Sequence, residues 1–440
     1  MKKRLLNILF WSVLSAAFIG PGTITTAASA GASFGYTLLW ALTFSTIACI
    51  ILQEASSRIT TVSGINLGEA IRKYWYDQLW GKTAVYLILL AIVLGCTAYE
   101  AGNILGAIAG ASLILHIPYY WLTIVIGVLA FILFGFGTVD LIAKVMGVIV
   151  GFMGICFLTT AIIMKPPILD ILSSGIIPHF PNGSEMLVLA LVGTTVVPYN
   201  IFLGSGLASD QSLKDMRLNL GIAIGLGGII SMGVLVVGAS ISGSFTFQAL
   251  ANQLSDQLGS WAATFFGIGL FCAGFSSSIT APLAAAITSR SLLANEENKS
   301  AWSNEGRYFR FVWIAVLIVG LAFGINKAQP IPIIILAQAL NGIILPLVAI
   351  ILFLMVNNIS LLKADHINSN ILNFFTGVVI FITVILGVTN IFKAITKVLQ
   401  INLIDESIIL VSAVIVTLLI AYPVYRKMMR LRDGKAKKTK

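Results

Sequence analysis

The chain has 440 residues, of which 58% are hydrophobic and 10% charged, with a formal net charge of +10 and a mean hydropathy of +0.98. So little charge against so much apolar surface excludes a water-soluble enzyme or binding module and requires an integral membrane protein. The basic residues sit in loops and tails between apolar runs, so they report orientation in a bilayer; with no RNP, zinc-finger or basic-zipper pattern, no nucleic-acid partner is expected.

The first apolar run follows Met1-Lys2-Lys3-Arg4 and imitates a signal peptide, but it lacks a cleavage site and reads as a retained first helix. At about 20 apolar residues per crossing, the pattern predicts an all-α integral membrane protein of about twelve transmembrane helices. They fall near 7–30, 37–57, 83–113, 119–136, 140–163, 186–208, 218–242, 260–288, 310–325, 331–355, 370–392 and 407–425. With the amino terminus inside, 23 of the 27 Lys and Arg residues lie on the cytoplasmic side, and only Lys165, Lys327, Lys393 and Lys397 lie outside. That bias predicts an even number of spans, both termini cytoplasmic, and a multi-pass protein of the plasma membrane.

Residues 164–185 hold four of the 12 prolines and form the longest external connection. They divide a first five-span unit, 1–163, from a second, 186–355; residues 356–425 add two spans, and 426–440 form a basic tail expected to lie on anionic headgroups. Between Arg58 and Lys82, INLGEAIRKYW has apolar and aromatic residues at helical spacing, which suggests a short amphipathic helix along the inner surface or an ordinary solvated loop. Trp40, Trp75, Tyr119, Tyr120, Trp121 and Trp261 fall at span ends and read as interface anchors. Cys49, Cys96, Cys156 and Cys272 lie in apolar runs without CxxC spacing and read as packing residues. Glu54 and Arg58, one turn apart, read as a local ion pair. His116, His179 and His366 sit in separate loops and form no metal cluster.

Two spans are interrupted. In Phe18 to Ala32, FIGPGTITTAASAGA, the Gly20-Pro21-Gly22 step removes an amide and relieves the steric cost of unwinding. In Leu187 to Leu207, LVLALVGTTVVPYNIFLGSGL, a second break falls at Val197-Pro198-Tyr199-Asn200. Backbone groups freed within hydrocarbon are tolerated only where they line a protected cavity, and matched breaks in two halves mark a transporter's binding site. An odd number of spans per half makes the second half enter from the opposite side. The expectation is a leucine-transporter-type fold, with two inverted five-helix repeats, broken helices one and six, and alternating access.

GPGTITTAASAGASFGYTLLWAL resembles the first span of the natural-resistance-associated macrophage protein (Nramp) family of proton-coupled divalent-metal transporters. The similarity continues through LQEASSRITTVSG in span two, AYEAGNILGA in span three, VGTTVVPYNIFLGS in span six, GLFCAGFSSSITAPLA in span eight and LAQALNGIILPL in span ten. It covers ten spans in order and implies secondary active transport of a small inorganic ion. The family's metal ligands are attributed to an Asp-Pro-Gly-Asn break in span one and a Met-Pro-His break in span six. By resemblance the aspartate position is Gly20 here, the asparagine Thr23, the methionine Val197 and the histidine Tyr199. A second family histidine, five residues on, is Gly204, and the span-three Asp and Glu that serve proton movement read Thr97 and Glu100.

The substrate-binding candidates are therefore Gly20, Gly22, Thr23, Thr26, Thr194, Val197, Tyr199, Asn200 and Gln338, with Thr195 and Asn341 beside them. They offer hydroxyls, amides and unwound carbonyls, whereas transition ions favour carboxylates, thioethers and imidazoles. No resident metal or cofactor is expected. A bare dication in such a site would be poorly compensated. The amides of Gly22, Thr23 and Ile24, and of Tyr199, Asn200 and Ile201, open helices whose amino termini favour anions. The expected substrate is thus a small hydrophilic anion such as bicarbonate. The alternatives are a divalent cation, Mg2+ with its waters or Mn2+, and a non-transporting membrane sensor.

For coupling, Ser277 and Thr280, with Ser276 and Ser278 on span eight, either coordinate Na+ as in related transporters or bond back to their own helix. Glu100, deep in span three, is either an H+ relay or a structural acid. No nucleophile constellation, phosphate-binding glycine loop or nucleotide motif points to an enzyme. The expected partners are a small inorganic ion and the lipid bilayer, with the chain as a monomer.

Overall fold

The computed structural model describes residues 19–76, 81–136, 139–207, 212–398 and 406–433. Its α-helices are α1 (Pro21–Phe34), α2 (Leu39–Ser63), α3 (Leu67–Trp75), α4 (Gly81–Ser112), α5 (Tyr119–Phe136), α6 (Val139–Ile163), α7 (Ile168–Ile176) and α8 (Glu185–Thr195). They continue as α9 (Pro198–Leu207), α10 (Leu213–Gly238), α11 (Phe247–Leu258), α12 (Trp261–Leu293), α13 (Arg307–Ile325), α14 (Pro330–Val356), α15 (Ile359–Leu362), α16 (Asn370–Val398) and α17 (Glu406–Arg432). Among the described residues nine helical stretches are long and apolar enough to cross a membrane, with α8 and α9 together making one of them. Each matches a predicted span, and the shorter apolar stretches Tyr119–Phe134 and Gly147–Ile163 match spans four and five. The amino-terminal part of span one, residues 7–18, lies outside the described residues.

Burial sorts the spans. The interrupted stretch Glu185–Gly206 has 83% of its most apolar window inside the protein, whereas the last span, Ile408–Arg432, has 17%. A helix that is apolar all round must face either neighbours or lipid, and these two sit at opposite ends of that choice. Around the centre the helices approach closely because the contact residues are small. A Cβ on Gly31 of α1 would lie 2.1 Å from the carbonyl oxygen of Leu235 in α10, and one on Gly238 of α10 would lie 2.5 Å from that of Ala28 in α1. The two helices therefore meet backbone to backbone, and α1 can be buried from Pro21 to Gly31.

Several sequence expectations are amended by packing. The amphipathic segment is a helix, α3, closed at its start by a capping box between Asn66 and Glu69. Its apolar face, with Leu67, Ala70 and Ile71 buried, packs into the protein: Gly68 touches Ser291 of α12, so the face is not offered to headgroups. Trp40 and Trp75 are also buried and do not anchor at an interface. Trp40 Nε1 donates to the His179 carbonyl at 3.0 Å and its ring meets Phe180, which ties the connection containing α7 onto α2. Trp75 carries Lys427 Nζ 4.3 Å above its ring. Tyr120, Trp121 and Trp261 remain exposed. The last span continues as helix to Arg432, so the described part of the basic tail is not a loose extension on lipid; residues 434–440 lie outside the described residues.

The Glu54–Arg58 pair, 3.1 Å apart, belongs to a wider knot. Arg217 Nη2 approaches the same carboxylate at 2.8 Å, and Arg58 is buried, donating from Nη1 to the His366 carbonyl at 2.6 Å and from Nη2 to Asn368 Oδ1. All four cysteines are free and buried.

Overpacking a tight crossing costs about 1–3 kcal/mol. Gly31→Leu is therefore expected to lower the melting temperature of the detergent-purified protein, whereas Gly151→Leu, with nothing within 4 Å of its Cβ, is expected to leave it unchanged. Equal effects of the two would remove the α1–α10 crossing from the account.

Candidate functional site

The site forms where the two broken helices meet. Gly20 is extended (φ −93°, ψ 176°) and α1 begins at Pro21, whose missing amide is no loss at a first helical position. The Pro21 ring seats against α4 at Gly106, where a Cβ would lie 2.2 Å from Pro21 Cβ. In span six, α8 ends at Thr195, Val196 leaves helical geometry (φ −101°, ψ 81°), and α9 starts at Pro198. The unwound step thus centres on Val196 and Val197, just ahead of the predicted stretch. The two breaks touch through side chains: Thr23 Oγ1 and Thr194 Oγ1 are 3.1 Å apart and buried.

Gln338 of α14 closes one side. A Cβ on Gly22 would lie 2.1 Å from its Nε2, so the amide rests on the first turn of α1 with Oε1 unpartnered. Tyr199, in the first turn of α9, meets Tyr99 of α4 edge-on at 5.4 Å, and the Tyr99 hydroxyl donates to the Gly193 carbonyl at 2.9 Å. Val197 is buried beside Tyr199 in sequence. Asn200 is buried with neither amide atom hydrogen-bonded, and the hydroxyls of Thr25, Thr26 and Ser29 are likewise unpartnered among the described residues. Buried polar atoms are nearly always paired, so these unpaired ones along α1 and in the first turn of α9 make the stretch a candidate binding surface.

Glu100 is fully buried on α4 and packs against Gly320 of α13. Neither carboxyl oxygen has a hydrogen-bond partner among the described residues. On α12, Ser277 comes to 3.6 Å from the place of a Cβ on Gly20. Thr280 instead donates to the Ser276 carbonyl at 2.9 Å, and Ser276 and Ser278 also bond back to α12. Asn341 donates to Ala337 of its own helix and keeps Oδ1 unpartnered. No group of three or more His, Cys, Asp and Glu that could hold a metal occurs among the described residues.

Sequence reasoning omitted Tyr99 and Gln53. Tyr99 stands next to Glu100 in the chain. Gln53 of α2 is buried, and its Oε1 would lie 2.6 Å from a Cβ on Gly204. The glycine that replaces the expected histidine thus admits a glutamine from span two. A lone amide in the middle of an apolar span was the available signal.

The chain matches the family described as natural resistance-associated macrophage protein-like over residues 12–393. It is 28% identical over 304 residues to the Divalent metal cation transporter MntH of Deinococcus radiodurans, covering 64% of this chain and 68% of that one. It is 25% identical over 360 residues to the protein of the same name from Verminephrobacter eiseniae, covering 76% and 77%. Among solved structures it resembles a mutant of the Eremococcus coleocola manganese transporter, with a TM-score of 0.72 at 15% identity over 96% of this chain and 94% of that one. It also resembles Mhp1, a nucleobase-cation-symport-1 family transporter, with a TM-score of 0.58 at 15% identity over 97% and 96%. These structures share the leucine-transporter-type architecture expected from the two breaks.

Gly22→Ala drives its Cβ into the Gln338 amide and is expected to destabilise the protein by about 1–3 kcal/mol. Adding Gln338→Ala removes the obstacle, so the double variant is expected to recover most of that loss in a double-mutant cycle read by thermal unfolding. Simple additivity would show that the two residues do not meet.

Proposed function

The chain belongs to the natural resistance-associated macrophage protein-like family, and we propose that as a secondary transporter it carries a divalent cation that keeps part of its water shell, with Mg2+ preferred over Mn2+. The observation that carries this reading is the uncharged polar lining at the carboxyl end of α8, where threonine hydroxyls and side-chain amides gather. The last carbonyls of a helix have no intrahelical partner and form the negative end of its dipole. At the end of α8 the Gly193 carbonyl accepts from Tyr99 and the Thr194 hydroxyl meets that of Thr23, with Gln338 Oε1 and the Asn200 amide unpartnered among the described residues. Half-helix carboxyl ends and unwound carbonyls are the groups that hold cations in transporters with broken helices. Hard oxygen donors suit Mg2+, which dehydrates reluctantly and asks less of the protein than a stripped transition ion. Neither thioether nor imidazole stands at the family's ligand positions, which are Val197 and Tyr199 here. The names of the relatives, divalent metal cation transporters, support the same class of substrate. They weigh against the anion expected from the missing aspartate.

The proposal extends to coupling. Glu100, fully buried on α4 with both carboxyl oxygens unpartnered among the described residues, is the group we assign to proton movement, while the hydroxyls of Ser276, Ser278 and Thr280, already bonded within α12, make a poorer case for Na+. A second reading, transport of a small anion such as bicarbonate, draws on the amino-terminal ends of α1 and α9 at Pro21 and Pro198. It shares the site and differs in the sign of the ion.

Proteoliposomes separate these readings. Mg2+ uptake that saturates, is inhibited by Mn2+ and persists when choline replaces Na+ is the expected result; bicarbonate-driven internal pH change without cation uptake would establish the anion instead. Glu100→Gln is expected to abolish the dependence of uptake on external acidity, and unchanged dependence would end its assignment. Combining Gly20→Asp with Val197→Met restores two family ligands and is expected to raise Mn2+ uptake relative to Mg2+, measured in the same vesicles.

A further inference from the structure

A cavity of about 650 Å3 opens between α14, α16 and α17, away from the crossing of the broken helices. We propose that it binds one anionic phospholipid, with the phosphate at Arg432 and an acyl chain running along the groove. The walls are apolar, formed by Phe353 of α14, Phe381 of α16 and Ala421 of α17. Thr417, farther along α17, donates its hydroxyl to the Ala413 carbonyl at 2.7 Å, leaving only its methyl for the groove. Fifteen residues of α17 separate Thr417 from Arg432, about 22 Å of helix axis. That distance exceeds the ~15 Å depth of one hydrocarbon leaflet, so the groove runs from headgroup level well into the bilayer.

The polar end specifies the headgroup. Arg432 Nη1 donates to Asn357 Oδ1 and to the Asn368 carbonyl, both at 2.8 Å, and these two bonds fix the guanidinium at the cavity rim. Its Nε and Nη2 make no hydrogen bond among the described residues, which leaves two parallel donors of the kind that hold phosphate bidentately. Asn370, also on the rim, has no hydrogen-bond partner for its amide among the described residues. No carboxylate lines the cavity, and no ion pair among the described residues engages Arg432. Arg426, Lys427 and Arg430 crowd the same end of α17, and Lys435, Lys437, Lys438 and Lys440 follow in sequence. A zwitterionic lipid could supply the phosphate but would bring an ammonium into this positive field. An anionic lipid brings none, and basic pockets between spans are where such headgroups bind.

The occupant also meets the rest of the protein. Asn368 accepts from the buried Arg58 of α2 on its side chain and from Arg432 on its carbonyl, so the headgroup site lies one residue from the knot that holds α2. Lipid binding is therefore expected to raise thermal stability.

The test uses the full-length protein in detergent, titrated with phosphatidylglycerol or phosphatidylcholine and read by native mass spectrometry and thermal unfolding. One phosphatidylglycerol per protein is expected, bound about tenfold tighter than phosphatidylcholine, the effect of one charge-assisted pair. Arg432→Gln is expected to erase the preference and Arg432→Lys to keep part of it. Gly377 lines the cavity with open space at its Cβ; Gly377→Leu should therefore weaken both lipids without touching the headgroup end. Equal binding of the two lipids by the unaltered protein, or phosphatidylglycerol retention unchanged in both Arg432→Gln and Gly377→Leu, would overturn the proposal. Preferential retention of an uncharged amphiphile, indifferent to Arg432, would overturn it as well and assign the cavity to an apolar ligand.

Discussion

Backbone groups set loose inside hydrocarbon must be enclosed by protein, and this constraint orders the whole chain. Two helices unwind, at Gly20 and at Val196, and each break is placed where neighbours can surround it. Pro21 is received by Gly106 of α4, and Gly193 lies within 2.0 Å, measured from an added Cβ, of the Gln338 carbonyl in α14. These close approaches bring the hydroxyls of Thr23 and Thr194 to 3.1 Å. The peripheral spans, with most of their surface turned to lipid, have no such demand on them.

Much of this was legible because proline and glycine act locally. Gly20-Pro21-Gly22 and the Val-Val-Pro step disfavour a continuous helix locally, so both breaks could be located to within a residue or two, although Pro282, Pro346 and Pro423 lie inside unbroken helices. The site's wall was less legible. Tyr99 and Gln53 matter through which way they point across α4 and α2, and uniformly apolar helices give no periodicity from which to read that direction. The buried tryptophans show the same limit. Trp40 and Trp75 sit at span ends, where an anchor is expected, but partners far along the chain, His179 and Lys427, enclose them. Glu100 was found because an acid in an apolar run is conspicuous; that it is fully enclosed against Gly320 of α13 could only come from the fold.

The chemistry of the crossing follows from substitutions that kept shape. Side chains expected to carry charge or soft atoms are replaced by glycine, threonine, valine and tyrosine, yet the helices still break and still meet. With charge and soft atoms absent at those positions, helix dipoles become the main source of field. A broken helix supplies both signs, a negative carboxyl end from α8 and a positive amino end from α9, separated by two residues. The sign of the ion then depends on which end its waters leave exposed.

The same break separates two differently fastened pieces. Above Val196, α8 is held to α4 by the Tyr99 hydroxyl on the Gly193 carbonyl and to α14 by the contact of Gly193 with Gly342. Beyond it, α9 is held to α2 and α3: Ser56 donates to the Ile201 carbonyl at 2.6 Å, the Thr60 and Ser205 hydroxyls are 2.7 Å apart, and the Leu67 amide donates to Ser205 at 2.8 Å. A continuous helix would weld these attachments into one body. Two unwound residues interrupt that continuity, although Tyr199 of α9 also meets Tyr99 of α4 across the break. The break that frees backbone groups is thus also the place where helix continuity between these attachments is lost, and any residue that restored helix through Val196 and Val197 would remove both properties together.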